Sequence, residues 1–255
     1  MDPRARKIIE YLREHGFASA DDLARALSVS AITIRRDLDR LGRENLLRRV
    51  HGGAVLREND LVCQPISERV RRNAGAKRRL AAYAAGLIRP EETIFLDAGS
   101  TCRFLAELIP EDMDLTVITH SLDNINALRG RSRVRTVCVG GELDPALNAF
   151  LGPLAEAEFE SFSADRAFIG TSAIDARKGC ANNSVAEKRI KALLNDNARQ
   201  AYVLADAAKF RQRALFRTLP ASAVRNLITG ASAPREQVRR FREKGVKVHL
   251  VPDGE

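Results

Sequence analysis

The segment Val29–Ala54, VSAITIRRDLDRLGRENLLRRVHGGA, decides how the amino-terminal part of the chain folds. Its first half predicts a helix, because Ser30 is a favourable N-cap residue directly before a periodic apolar run. Ile34, Leu38 and Leu41 fall at positions i, i+4 and i+7, so they lie on one face of that helix. The segment therefore predicts an amphipathic helix that buries one apolar stripe.

The opposite face of this helix is basic. Arg36 and Arg43 point away from the apolar stripe, and Ile32 and Thr33 lie near them at the amino-terminal end. Arginine can bind guanine O6 and N7 or a phosphate, and the methyl groups of Ile and Thr can meet thymine methyls in the major groove. The candidate DNA-binding residues are Ser30, Ile32, Thr33, Arg35 and Arg36 on the helix, followed by Arg48, Arg49 and His51.

The residues before the basic helix predict two further helices. Ser19 caps one over Ala20–Leu27, with Asp21 and Asp22 in its first turn, where the helix dipole favours negative charge. A three-residue turn, 28–30, leads from it into the basic helix, a connection length typical of helix-turn-helix motifs. An earlier helix is patterned by Ile8, Ile9 and Leu12 and ends near His15-Gly16.

The residues after the basic helix predict a wing. Asn45 ends the helix in a left-handed conformation, which Asn tolerates better than most residues. Leu46–Val50 and Ala54–Leu56 predict two short strands around His51-Gly52-Gly53. A basic helix face is often only solvated, but three helices at this spacing with a basic wing favour binding of duplex DNA.

Composition limits the class of protein. The 255 residues suffice for two domains, and the net charge of +9 is uneven, since residues 1–58 carry +3, residues 59–80 carry +4 and the remainder only +2. This concentration fits attraction to a polyanion. No segment is apolar enough to span a bilayer and no signal peptide is present, so we expect a cytoplasmic protein. The scattered cysteines predict free thiols and no metal site: Cys63, Cys102, Cys138 and Cys180.

Beyond Pro90, β-rich runs alternate with helical stretches such as Ser121–Leu128, Val185–Ala198 and Arg235–Lys244. This alternation predicts a mostly parallel sheet covered by helices, in which ligands bind outside the carboxyl ends of the strands. The predicted strands are Thr93–Leu96, Leu115–Thr119, Val134–Val139, Arg166–Ile169, Ala201–Leu204, Asn226–Thr229 and Val246–Val251.

The loop after the first of these strands is a candidate anion site. In Asp97–Thr101 a glycine permits a tight turn, and the next N–H groups open the helix Cys102–Leu108 with its dipole behind them. The same sequence is also compatible with an ordinary helix cap. Other predicted strand ends carry small, polar or charged residues: Thr119, His120, Ser121, Gly140, Gly141, Asp206 and Lys209.

A basic segment connects the two regions. Residues 57–64 are polar and predict a hinge, and Ile66–Leu87 predicts a single helix that carries six basic residues. Two interpretations stay open for this cluster of charge: a solvated linker, or a supplementary contact to the DNA backbone.

Both regions resemble one family. LARALSVSAITIRRDL and LLRRVHGGA are similar to the amino-terminal signature of the DeoR family of bacterial sugar-metabolism regulators, although Asn45 stands where many members carry Gly. Residues 92–230 resemble the effector domain of those regulators, which is similar in fold to ribose-5-phosphate isomerase. The segments that match are FLDAGST, VITHS, VGGEL, FLGPLAE, DRAFIGTSAID, LADAAKF and the pair Glu187 and Lys191.

The resemblance implies a sugar-phosphate site. It places the phosphate at Gly99, Ser100 and Thr101 with Lys191 as counter-charge, although an i,i+4 Glu–Lys pair is most often an exposed ion pair. His120 departs from the Asn common in this family, which predicts preference for a different sugar. Sugar hydroxyls are then expected at Asp97, Thr119, His120, Ser121, Gly141, Glu187, Asp206 or Lys209.

The resulting hypothesis is a DNA-binding regulator, a repressor of carbohydrate-metabolism genes, that acts as a homodimer or homotetramer without a cofactor. Its predicted organisation is a winged helix-turn-helix over 1–58, a linker and basic helix over 59–90, and a Rossmann-like α/β effector domain over 91–255. Two other classes compete with it: a sugar-phosphate isomerase-like enzyme with a DNA-binding arm, and an architectural DNA-binding protein without a ligand.

Overall fold

The computed structural model of the protein describes residues 3–15, 17–44, 46–50, 53–56 and 65–254. The chain divides into two compact units, Met1–Leu61 and Val62–Glu255. None of the helices within the described ranges is long and apolar enough to cross a membrane. The predicted hinge at 57–64 and the predicted left-handed Asn45 lie outside the described residues.

The amino-terminal unit is a winged helix-turn-helix. Its three strands form one antiparallel sheet in the order β1-β3-β2. The three predicted helices and both wing strands are confirmed, whereas β1 was not predicted, because three residues are too few to show an alternating pattern. The elements are α1 Pro3–His15, β1 Phe17–Ser19, α2 Ala20–Leu27, α3 Ala31–Arg43, β2 Leu47–Val50 and β3 Gly53–Leu56.

Short polar side chains set the ends of α2 and α3. The Ser19 hydroxyl accepts the N–H of Asp22 at 3.0 Å, and the Asp22 carboxylate accepts the N–H of Ser19 at 3.2 Å, which completes a capping box. Ser28 then adopts φ 53°, a left-handed conformation that turns the chain. The Ser30 hydroxyl accepts the N–H of Thr33 and caps α3.

The apolar stripe of α3 forms the centre of this unit. Ile34, Leu38 and Leu41 are fully buried, as the periodicity predicted. Asp37 is also buried and binds the Arg4 guanidinium through both carboxylate oxygens, at 2.5 and 3.1 Å. This pair neutralises an acidic group on α3 and connects that helix to α1.

The carboxy-terminal unit is built on seven parallel strands, and each of the seven predicted strands is found in this sheet. They are β4 Thr93–Leu96, β5 Leu115–Thr119, β6 Val134–Cys138, β9 Ala164–Gly170, β12 Ala198–Leu204, β14 Asn226–Gly230 and β15 Lys247–Val251, in the spatial order β15-β14-β12-β9-β4-β5-β6. The intervening strands are β7 Glu142–Asp144, β8 Ala149–Leu151, β10 Ala173–Asp175, β11 Gly179–Asn182 and β13 Phe216–Leu219.

Helices cover both faces of this sheet. Alternate residues of β9 enter different cores, Ala167 and Ile169 into one and Phe168 into the other. The helices are α4 Ile66–Arg71, α5 Ala74–Ala85, α6 Ser100–Leu108, α7 Leu122–Leu128, α8 Pro153–Ser161, α9 Glu187–Asp196 and α10 Arg235–Glu243. Side chains of α5, α6 and α7 pack in the Phe168 core, and those of α8, α9 and α10 pack in the other.

The prediction of one continuous helix over Ile66–Leu87 is wrong. Asn73 has φ 54°, and this left-handed residue separates α4 from α5. Leu80, Ala81 and Ala84 of α5 are buried in the core of the carboxy-terminal unit. The basic segment is therefore packed on the α/β unit, and only part of its charge lies in solvent.

The order of the strands creates a crevice. The chain runs from β4 outward to β5 and β6, and it continues on the other side of β4 with β9 and β12. In an open parallel sheet, this reversal opens a crevice outside the carboxyl ends of the two strands at the switch point. The carboxyl ends of β4 and β9 are therefore where a ligand site is expected.

Replacing Ser19 with Ala tests the capping box. The variant loses the acceptor for the Asp22 N–H, so α2 is expected to lose about 1 kcal/mol of stability. Amide hydrogen exchange of the full chain should show faster exchange in α2. Ser67→Ala, at an exposed serine of α4, is the control and should leave that exchange unchanged; equal protection of α2 in both variants contradicts the assignment.

Candidate functional site

The amino-terminal half of α3 presents an exposed face. Ile32, Arg35 and Arg36 stand at i, i+3 and i+4, so they share one side of the helix. Ile32 is 65% exposed, which is unusual for a large apolar side chain. Both arginines are exposed and form no ion pair with any described residue. This face combines two exposed guanidinium groups with an exposed apolar side chain, which suits contacts with guanine edges and thymine methyl groups in a major groove.

The other candidate DNA-binding residues occupy different settings. The hydroxyls of Ser30 and Thr33 lie 2.8 Å apart at the start of α3 and are committed to the cap. Arg49 binds Asp39 at 3.0 Å and donates to the Gly53 carbonyl oxygen at 3.3 Å. The Arg48 side chain and all of His51 lie outside the described part of the structure.

A buried ion network lies in the crevice between β4 and β9. The Lys191 ammonium of α9 binds Asp97 Oδ2 at 2.5 Å, Glu187 Oε1 at 3.3 Å and the Gly170 carbonyl oxygen at 2.9 Å. Burial opposes the charge on Lys191, but the two carboxylates outweigh it and hold the pKa above its ordinary value. Lys191 is 1% exposed and has three oxygen partners, so its geometry suits the positioning of Asp97.

The end of β5 adds a second buried group of residues. The Thr119 hydroxyl donates to the Leu96 carbonyl oxygen at 2.6 Å, and the Ser121 hydroxyl accepts the N–H of Asn124. The Asn124 amide donates to the Asp97 carbonyl oxygen at 3.0 Å. These bonds fix the loops that follow β4 and β5, and Thr119 and Ser121 are both committed to them.

His120 is a neutral residue in this setting. Its Nε2 lies 3.9 Å from Asp97 Oδ1, and its ring packs edge-on against Phe159. Its Nδ1 is buried and has no hydrogen-bond partner among the described residues. Burial, with the nearby Lys191 ammonium, lowers the pKa of His120 to about 3, although Glu187 acts in the opposite direction.

The amino terminus of α6 carries polar groups that no described side chain caps. Gly99 is its N-cap residue, with φ 149°, and no side chain caps the helix. Ser100 and Thr101 are 5% and 7% exposed, and neither hydroxyl has a hydrogen-bond partner among the described residues. Uncapped N–H groups and hydroxyls without partners at a helix amino terminus are the kind of groups that bind anions in proteins.

The remaining candidates lie at other strand ends. A Cβ on Gly141 would stand 2.6 Å from the Leu151 carbonyl oxygen, so close packing requires glycine there. Asp206 Oδ1 accepts the N–H of Ala208, while its Oδ2 is buried without a partner. Asp206 lines a cavity of about 380 Å³ between α5 and the ends of β12, β14 and β15. Lys209 is half-buried beside it.

Sequence reasoning missed three residues that the structure brings to the crevice. Asn124 donates a hydrogen bond to the Asp97 carbonyl oxygen, and Asn182 donates one to the Glu187 carboxylate. Arg69 of α4 lies beside Gly99. The basic run around Arg69 was visible in the sequence. Which of its cations faces inward depends on the break between α4 and α5 at Asn73, and a single Asn is only a weak turn signal.

Comparison with known proteins agrees with both units. Residues 4–60 match the DeoR-like helix-turn-helix domain, and residues 72–231 match the DeoR C-terminal sensor domain. The chain belongs to the DeoR family. The predicted family and fold class are thereby confirmed, since the two matches cover most of the chain.

Individual relatives extend over nearly the whole chain. The L-fucose operon activator of Haemophilus influenzae is 33% identical over 92% of this DeoR-family chain and 94% of its own length. The glycerol-3-phosphate regulon repressor of Escherichia coli strain K12 is 29% identical over 97% and 98%. Among solved structures, ribose 5-phosphate isomerase A from Methanocaldococcus jannaschii covers 54% of each chain at 17% identity with a TM-score of 0.40.

His120 makes the stability of this unit dependent on pH. Between about pH 6.5 and 3 the unfolded chain binds a proton that the folded chain excludes, so stability falls as the pH falls through this range. From pH 7 to pH 5 the wild type should lose about 2 kcal/mol more than His120→Asn, at about 1.4 kcal/mol per pH unit. Urea unfolding of both proteins at the two pH values measures the difference, and equal losses contradict the assignment.

Proposed function

We propose that this chain is a transcriptional repressor of carbohydrate-metabolism genes that binds operator DNA and responds to a phosphorylated sugar. Family membership supports the class of protein. The observation that carries the proposal is that each unit presents polar or cationic groups without internal partners among the described residues: the exposed face of α3, and the uncapped amino terminus of α6. The names of the two relatives, which refer to fucose and to glycerol 3-phosphate, support a small polyol or sugar derivative as effector.

The DNA contact in this proposal is made by α3. Arg35 and Arg36 reach base edges or phosphates, and Ile32 contacts thymine methyl groups. Ser30 and Thr33 place the helix start against the backbone, while Arg48, Arg49 and His51 of the wing bind flanking phosphates. The ion pair of Arg49 with Asp39 lies at the surface, so it is weak enough to exchange for a phosphate.

A homo-oligomer is part of the proposal. One helix-turn-helix reads only a few base pairs, so useful specificity requires two half-sites and at least a dimer. A regulator that binds chromosomal DNA also acts where the chromosome lies, which makes the cytoplasm its location.

The effector is assigned to the crevice of the sheet. Its phosphate binds the N–H groups and hydroxyls of Gly99, Ser100 and Thr101. Its hydroxyl groups meet the free oxygen of Asp206 and, after local rearrangement, Asp97 or His120. Lys191 and Glu187 orient Asp97, and Thr119, Ser121 and Gly141 shape the loops around them. Lys209 stands beside Asp206.

The effector controls DNA binding by a shift in population. It can favour one arrangement of the DNA-binding units only through a difference in its affinity for the two states. The chain does not convert the effector in this proposal. Incubation with a panel of pentose and hexose phosphates separates the two functions, since saturable binding without product supports a sensor and formation of product supports an isomerase-like enzyme.

Arg36→Ala tests the DNA-binding face. If Arg36 contacts a base, operator binding should weaken by about 1–3 kcal/mol, and preference at one position should relax. Fluorescence anisotropy at fixed salt, with operator and random DNA, measures both effects. Arg199→Ala removes the same charge from an exposed site in the other unit and is the matched control. Unchanged operator affinity of Arg36→Ala removes this residue from the interface.

Ser100→Glu tests the effector site. A carboxylate at the start of α6 occupies the anion site and repels a phosphate, so the variant should bind operator normally and no longer respond to the effector. Operator binding is titrated with the sugar phosphate that releases the wild type. Continued release of the variant contradicts the assignment of the phosphate to this helix.

A further inference from the structure

Four cations of the carboxy-terminal unit lie near one another without carboxylate partners. Arg69 belongs to α4, Arg72 directly follows that helix, Lys77 belongs to α5, and Lys209 follows β12. Within residues 65–254, none of these four side chains forms an ion pair. Many other arginines of the chain do, including Arg103, Arg133, Arg166, Arg189 and Arg239.

Lys77 is the most unusual of the four. Its side chain is among the largest fully buried ones, at 2% residue exposure, and its ammonium has a single hydrogen-bond partner in the described structure, the carbonyl oxygen of Arg69. Buried charges in proteins are normally paired, because an uncompensated one costs several kcal/mol. Burial and repulsion from the Lys209 ammonium lower the pKa of Lys77 to about 7, and attraction to the Asp206 carboxylate only partly compensates.

Lys209 likewise forms no ion pair with a carboxylate of the described residues. Burial lowers the pKa of Lys209 to about 8. Attraction to the Asp206 carboxylate opposes this shift, and repulsion from Arg69 and Arg72 adds to it. Among the described residues its ammonium donates to Gln212 Oε1 alone, at 3.2 Å, and this partner carries no charge. Among the described residues, Asp206 is the acidic group whose attraction acts on both lysines.

This positive region continues to the start of α6. Arg69 Nη2 lies 3.5 Å from the position that a Cβ of Gly99 would occupy. The amino terminus of α6 itself carries partial positive charge, and Ser100 and Thr101 add two hydroxyls without partners. A guanidinium therefore stands beside a positive helix end, an arrangement that an anion between them would stabilise.

We propose that α4 and α5 form the cationic side of the anion site, with Arg69 and Lys77, assisted by Lys209, binding the phosphate that α6 receives. This inference rests on the proposed function for the presence of an effector, and it specifies the chemistry of the group recognised: a dianion. It assigns the counter-charge to residues other than Lys191, whose ammonium is already held by Asp97 and Glu187. The bound anion ties α4 to α6.

Titration with inorganic phosphate and inorganic sulfate tests this site in the full chain. Calorimetry should show saturable binding to the wild type, at least about tenfold weaker binding to Arg69→Gln and Lys77→Met, and binding within about twofold of the wild type for Arg71→Gln. Arg71 is an exposed arginine of the same helix, so it controls for the loss of one charge. Equal affinity of Arg69→Gln and Arg71→Gln, or no saturable binding to the wild type, overturns the proposal.

The dependence on pH gives a signature that a structural role would not produce. The charged groups that act on Lys77 are Arg69 of α4, Arg72 directly after α4, and Lys209 and Asp206 after β12. Sulfate stays dianionic, so its binding above pH 7 requires Lys77 to take up a proton, and affinity should fall by up to about tenfold per pH unit between pH 7 and pH 9. This fall should be smaller in Lys77→Met. An identical profile in that variant overturns the role of Lys77.

The test of the cationic side and the test of the proposed function can fail independently of each other. If Ser100→Glu abolishes the response to a sugar phosphate while Arg69→Gln and Lys77→Met respond at wild-type concentrations, the effector function stands and the cationic side is wrong. If the anions bind with the expected dependence on Arg69 and Lys77 but no sugar phosphate changes operator affinity, the cationic side stands and the proposed function fails.

Discussion

The buried ion network of Lys191 is the constraint on which the sensor unit depends. One ammonium connects the end of β4 through Asp97, the end of β9 through Gly170, and α9 through Glu187. Removing one partner of such a network leaves a buried charge uncompensated and typically costs about 3–5 kcal/mol. The network therefore fixes the crevice at the switch point of the sheet, from which α6 opens.

The two units each contain cations that carboxylates hold, and cations that no described carboxylate holds. Lys191 and Arg4 are held by carboxylates and position the elements around them. Arg36 on α3 and Lys77 in the sensor unit have no carboxylate partner among the described residues. A cation without an internal carboxylate partner keeps its capacity to bind an external anion, and both proposals above depend on that capacity.

Much of the fold could be predicted because its determinants are local. The caps at Ser19 and Ser30 and the stripe of Ile34 and Leu38 lie within one helical turn or two, and the seven strands of the sheet are contiguous β-rich runs. The small strands β7, β8, β10, β11 and β13 were not predicted. They form two small sheets apart from the seven-stranded sheet, and such strands depend on their partners more than on their own sequence.

The sequence by itself determined the family, the two-unit organisation and the strand ends at which polar residues converge. Only the tertiary structure decided that Lys191 is paired and buried, that Thr119 and Ser121 are committed to internal hydrogen bonds, and that Lys77 faces inward without a partner. The physical reason is that the state of a charged or polar group depends on its burial and neighbours. Asp97 and Lys191 are 94 residues apart in the chain, and no local pattern records that they meet.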